Sequence, residues 1–172
     1  MIDKPKWLPE TLHFDGNWEA FIKSVYQIFE RDFKQSKPIF RTLPVLYDSK
    51  IEDGKEAGFW HIVQKDDPNS KERLPDIRRC EHIPWPKPII EHSNERGISV
   101  WKNDRKTNRN NRRQIRVLIW FEELDYLIIL RERPSIMILI TAYCVEQESY
   151  REKLRRERDE YLEMQKPPSQ AT

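Results

Sequence analysis

The chain is 172 residues long, enough for one domain with a real core. Apolar residues make up 37% and charged residues 35%, with a formal net charge of +2, so the total charge advertises no nucleic-acid partner and the longest apolar run is too short for a membrane helix. Twelve Pro against four Gly favour rigid connections over a glycine-cradled nucleotide site, and Cys80 and Cys144 stand far apart without metal-ligand spacing, which argues against a disulfide framework or a zinc site.

The N-terminus carries no apolar signal core, so a soluble, cytoplasmic protein without cofactor or metal is expected. Residues 1–14 read as extended, because Pro5 and Pro9 oppose a helix. Asp15, Gly16 and Asn17 are cap-type residues. They precede Trp18, Phe21, Ile22, Val25, Phe29 and Phe33, whose spacing predicts an amphipathic helix over 17–34. Residues 39–47 read as a short strand interrupted at Pro44, 48–58 as a polar turn, and 59–63 as an apolar β-compatible run. A turn at 66–70 leads to a short helix within 72–82, beginning after Leu74 with Pro75 in its first turn. Residues 83–90 contain Pro84, Pro86 and Pro88 and read as an extended connector anchored by Trp85.

Further on, 98–101 reads as a short strand and 102–113 as a basic loop. Residues 114–121, 126–131 and 136–145 read as three strands joined by hairpin-length segments, an antiparallel meander. Residues 146–165 alternate acids and bases and predict a solvated helix, while the tail 166–172 reads as disordered. Tyr150, Leu154, Tyr161, Leu162 and Met164 offer that helix a thin apolar seam for another chain. The expected architecture is a single α+β domain over 1–165. An N-terminal amphipathic helix packs on a curved antiparallel sheet (meander 114–145), followed by the charged C-terminal helix.

Three features carry candidate chemistry. Lys102, Arg105, Lys106, Arg109, Arg112, Arg113 and Arg116 fall within 15 residues, with Asp104 the one acid among them. Guanidinium groups fit phosphates bidentately, so this density suits a nucleic acid, though an acidic protein partner or a plain solvated loop gives the same pattern. His61 stands among bulky apolar neighbours, and strand alternation sets it on a face with Phe59 and Val63. Partial desolvation there favours a neutral imidazole, the form that acts as a base; a hydrogen-bonded core histidine is the alternative. Thr141 and Tyr143, two apart on the last strand, share a face with Met137, Leu139 and Val145. Whether Arg116 points to that same face is left open by the sequence. Arg78 and Arg79 either approach the same substrate or pair with Asp76 and Glu81.

There is no Gly-x-Ser-x-Gly, no phosphate-binding loop and no metalloprotease helix in the chain. The order of elements, ending in the motif Leu139-Ile140-Thr141-Ala142-Tyr143, resembles the barnase–EndoU–colicin–RelE superfamily of small ribonucleases, over roughly residues 59–145. Many members are toxins of toxin–antitoxin or interbacterial-conflict systems. The resemblance implies metal-independent cleavage of RNA through a cyclic phosphate. By the same resemblance His61 handles the proton, Arg116 or another loop arginine stabilises the phosphoryl charge, and Thr141 and Tyr143 position the phosphate or stack on a base. A catalytic Glu has no counterpart here, and the proline-rich segment 83–90 is foreign to the pattern. The implied partners are RNA and a cognate antitoxin or other acidic protein, with no membrane. The alternative function is a non-catalytic nucleic-acid- or protein-binding module that uses the basic 102–116 segment, with His61 purely structural.

Overall fold

Asn17 starts the first helix by accepting a hydrogen bond from the Ala20 N–H through its side chain. The computed structural model describes residues 3–106 and 112–168. Helix α1 (Trp18–Phe29) continues through a π-helical turn, Glu30–Lys34, and buries Phe21, Val25, Phe29 and Phe33 as the aromatic spacing predicts. A six-stranded sheet follows in the order β1-β2-β10-β9-β8-β7. Its strands are β1 (Ile39–Phe40), β2 (Leu43–Leu46), β7 (Ile98–Lys106), β8 (Arg113–Phe121), β9 (Tyr126–Glu132) and β10 (Met137–Cys144). All neighbours are antiparallel except β2 and β10, which run parallel. Two small hairpins, β3 (Ile51–Glu52) with β4 (Lys55–Glu56) and β5 (Gln64–Asp66) with β6 (Arg73–Pro75), stand apart from it. The α+β architecture agrees with the expectation, and no described helix is long and apolar enough to cross a membrane.

Side chains pack on both faces of the sheet. On one face α1 and the short middle helices cover Val117, Ile119, Ile128, Leu130, Met137, Leu139 and Ala142. On the other, α5 (Glu148–Gln165) covers Trp101, Leu118, Trp120, Leu127, Ile129 and Val145 with its buried Leu154. The C-terminal helix is therefore not solvated all round: its apolar seam of Tyr150, Leu154 and Tyr161 meets its own sheet. Its charges serve the same docking. Arg151 holds Asp125 at 2.6 Å, and Arg155 and Arg158 each reach Glu122 at 2.7 Å.

Several local expectations are corrected. Residues 59–63 are not a strand but the end of helix α2 (Ala57–Val63), which buries Phe59, Ile62 and Val63. A five-residue apolar run satisfies either period, and here the 3,4 spacing toward the α1 aromatics decides. Residues 83–90 are not an extended connector. Pro86 and Pro88 fall in the first turn of α4 (Pro86–Glu91), where the missing N–H has no helical partner to lose. Trp85 is the anchor expected, buried and donating its indole N–H to the Pro9 carbonyl at 3.0 Å. Helix α3 (Ile77–Glu81) begins one residue after Asp76, its cap, so Pro75 belongs to β6. Residues 39–47 form a hairpin that turns at Arg41 (φ 55°), with Pro44 inside β2. In the basic 102–113 segment, residues 102–106 and Arg113 are strand, since β7 and β8 pair as far as Lys106 and Arg113, and residues 107–111 lie outside the described residues.

Candidate functional site

The site begins with a fault in strand β10. Its register against β9 shifts between Leu139 and Thr141, so Ile140 is a bulge residue. One extra residue reverses the alternation. Met137 and Leu139 face the helical core, but Thr141, Tyr143 and Val145 face the α5 side. The expected common face of Met137, Leu139, Thr141, Tyr143 and Val145 is thus broken in two at Ile140. Beyond Ile138 no described strand pairs with the outer edge of β10, and α2 and α3 pack along it instead.

An open pocket of about 350 Å³ lies there, lined by His61, Lys65, Asp66, Arg73, Arg79, Ile140, Thr141 and Tyr143. Its size falls within the ~300–1,000 Å³ common for small-ligand sites. Three cations face one carboxylate, and that carboxylate, Asp66, lies 3.3 Å from Arg73. His61, Thr141, Tyr143 and Arg79 therefore meet, although they come from α2, β10 and α3. The Thr141 hydroxyl donates to the His61 carbonyl at 3.0 Å, which ties the strand to the last turn of α2. Gly58 seats that helix: a Cβ on it would lie 2.7 Å from the Tyr47 Cβ.

Arg79 is held on three sides. Its Nη1 donates to the Gln64 carbonyl at 2.6 Å and to the Thr141 hydroxyl at 3.5 Å, and its guanidinium lies 4.9 Å over the Tyr143 ring. Its Nε and Nη2 have no described partner, so the rest of the donor fork is available to an anion. Burial pulls its proton affinity below the usual arginine value, but the group stays charged. The expected pairing of Arg79 with Asp76 does not occur. Asp76 spends its carboxylate on the Arg79 backbone N–H at 2.8 Å and on Lys65 at 2.9 Å. Arg78 turns away to Glu146 at 3.1 Å.

The four histidines separate clearly. His82 Nδ1 is 2.7 Å from the Arg78 carbonyl, and its ring stacks on Tyr126. His92 does the same with the Pro88 carbonyl at 2.7 Å and stacks on Trp7 at 4.1 Å. His13 is exposed beside Glu81. His61 is half-buried in the pocket wall, and neither ring nitrogen has a described hydrogen-bond partner.

Tyr143 has its hydroxyl 2.8 Å from that of Tyr150 on α5, and burial raises its phenol above the usual value. Arg79 lies over one face of the Tyr143 ring, so Tyr143 supports that arginine. Arg116 shares the α5-facing side of the sheet with Leu118 and Trp120, hence with Thr141 and Tyr143, but it does not line the pocket. Lys102 pairs with Glu132 at 2.6 Å and Arg113 with Asp104 at 2.8 Å. Arg105 and Arg112 are exposed, while Arg109 and the side chain of Lys106 lie outside the described residues. Sequence reasoning gave Lys65 and Asp66 no part in a site and placed Arg73 only in a basic cluster with Arg78, Arg79 and His82; the Asp66–Ser70 turn signal was the available clue that a hairpin brings them together.

No family model matches the chain, and comparison with curated proteins and with solved structures finds no match either.

Proposed function

We propose that this protein is a metal-independent endoribonuclease of toxin type, with its centre at the His61–Arg79–Thr141–Tyr143 pocket. The observation that carries the reading is the pairing of an imidazole with two unengaged nitrogens and a pinned guanidinium with an open donor fork, in one cationic pocket. His61 takes the proton of a ribose 2′-hydroxyl. The 2′ oxygen bonds to phosphorus, the bond from phosphorus to the 5′ oxygen breaks, and the leaving oxygen takes a proton from water. The products are a 2′,3′-cyclic phosphate and a 5′-hydroxyl end. Arg79 holds the phosphoryl oxygens through Nε and Nη2, while Lys65 and Arg73, paired with Asp76 and Asp66, line the pocket beside it. Thr141 and Tyr143 position Arg79 and, through the His61 carbonyl, the α2 turn.

The test is cleavage of single-stranded RNA by purified protein in excess chelator, with end-group analysis. His61→Ala is expected to reduce the rate by about 10²–10⁴-fold while leaving the circular dichroism spectrum intact. Equal rates for a folded His61→Ala variant, or intact RNA with the wild-type protein, remove the proposal.

A further inference from the structure

A second group of cations lies on the same side of the sheet and does no structural work that accounts for it. In the register of β7, β8 and β9, Asn103 stands opposite Arg116 and Arg116 opposite Arg131. Arg105, two residues along β7 from Asn103, shares their face. Arg116 and Arg131, directly opposed on neighbouring strands, start about 5 Å apart, and Arg105, opposite Gln114, stands diagonal to Arg116 at about 7–8 Å, so three arginines share one patch. Like charges placed across a ladder destabilise it, and a sheet normally answers them with carboxylates.

That answer is missing here. Among the described residues none of Arg105, Arg116 and Arg131 has an ion pair, although Lys102 and Arg113 on the same strands each hold an acid. Glu157, which reaches Asn103 at the end of the row, accepts from the Trp101 indole at 3.0 Å and the Asn103 amide at 2.7 Å. Arg116 is half-buried, and its Nε is shut off from solvent with no hydrogen-bond partner. A buried, unbonded donor on a cation is costly unless a ligand completes it. Burial, then the fields of Arg105 and Arg131, weaken the hold of Arg116 on its proton, opposed by Tyr143 and Tyr150.

The group is linked to the pocket through one residue. Tyr143 lies within the fields of both Arg79 and Arg105, and Arg116 lies within those of Tyr143 and Tyr150. We propose that Arg105, Arg116 and Arg131 form a second phosphate subsite, so that the ligand is a single-stranded oligoribonucleotide with one phosphate at Arg79 and another at this triad. The arginines sit on a sheet face beside α5, and a flexible strand reaches the recessed Arg116 where a rigid duplex does not. The RNA identity of the ligand rests on the nuclease reading of the His61 pocket; the anion site itself does not.

Binding is measured by fluorescence anisotropy with labelled 2′-O-methyl oligonucleotides of two and eight residues, which resist cleavage, over a series of salt concentrations. The octamer is expected to bind at least tenfold more tightly than the dimer. Arg116→Gln/Arg131→Gln is expected to erase that advantage and to flatten the salt dependence for the octamer. Each lost phosphate contact lowers the slope of log K against log salt by about 0.7 for a single strand. Arg105→Gln, at an exposed position whose loss leaves the core intact, is expected to remove part of the effect, and Lys23→Gln, on the far side of α1, none of it. Unchanged affinity and slope in folded triad variants overturn the subsite. A duplex binding as tightly as the single strand, or polyglutamate competing as well as RNA, overturns the ligand class. Triad-dependent binding by a wild-type protein that leaves native RNA intact keeps the subsite and removes the nuclease reading. Cleavage by wild-type protein with triad variants unaffected in binding does the reverse.

Discussion

The hydroxyl of Thr141 donates a 3.0 Å hydrogen bond to the carbonyl of His61, across 80 residues of chain. This contact closes the gap between a strand that has just passed its bulge and the last turn of a seven-residue helix. The same hydroxyl accepts from Arg79 at 3.5 Å, so one side chain sets both the imidazole-bearing turn and the guanidinium. Thr141→Val keeps the shape and removes both bonds. A net loss of roughly 0.5–1.5 kcal/mol in a urea titration is expected for the bond to His61. The cleavage rate is expected to fall by up to about 100-fold, since small misplacements of reacting groups have effects of that order. Thr141→Ser restores the hydroxyl and is expected to recover most of both; a Ser variant as poor as Val would show that the methyl packing, not the hydrogen bond, matters.

Gly58 has a different part in the same geometry. It lies in the first turn of α2, where an added Cβ meets the Tyr47 Cβ at 2.7 Å and the Asp48 backbone nitrogen at 3.0 Å. These are not flexible side-chain ends, so the helix must move. Gly58→Ala improves intrinsic helix propensity by about 1 kcal/mol, yet the overpacking is expected to cost about 1–3 kcal/mol. A lower urea midpoint together with a reduced cleavage rate is the expected result. A variant more stable than wild type would show that α2 tolerates displacement.

Much of the framework was legible in the chain because it rests on local patterns. The aromatic spacing of Trp18 to Phe33 marks α1, and the apolar runs ending at Phe121, Leu130 and Cys144 mark the three central strands. The site was legible only in part. His61, Thr141, Tyr143 and Arg79 could each be singled out, but the bulge at Ile140 has no mark in residue type, and it decides which way Thr141 and Tyr143 point. The 59–63 run was ambiguous for the reason that short apolar runs usually are. Arg79 rather than Arg116 lines the pocket because α3 folds back along the open edge of β10, a long-range event that spacing does not encode.

Arg79 tests whether charge or geometry matters at the pocket. Its Nη1 is committed to Gln64 and Thr141, and only a planar fork leaves further donors directed at a ligand. Arg79→Ala is expected to lower the single-turnover cleavage rate by about 10²–10³-fold, the usual effect of removing one transition-state donor. Arg79→Lys keeps the charge but reaches one point only, and an intermediate rate is expected. Full activity in the lysine variant would reduce the role of Arg79 to general attraction of phosphate.

His82 sets a pH dependence of stability that is separate from the pocket. Its ring meets Trp85 edge-on and stacks on the buried Tyr126, and burial holds its imidazole below the usual value, opposed by the hydrogen bond to the Arg78 carbonyl. The nearby charges of Arg78, Glu81 and Asp76 act in opposite senses on it. Because the folded state disfavours the imidazolium, the unfolded chain binds the extra proton first as pH falls. The contribution is therefore complete above the unfolded histidine value of about 6.5 and is lost as pH drops through the folded value below it. Urea midpoints are expected to decline from pH 7 toward pH 5, before Asp76 and Glu56, whose carboxyls are held below their usual range, begin to protonate. His82→Asn retains an amide donor but has no titrating ring. Its midpoint is expected to be lower at pH 7 and nearly flat between pH 7 and 5. An unchanged slope in that variant would assign the pH dependence to other groups.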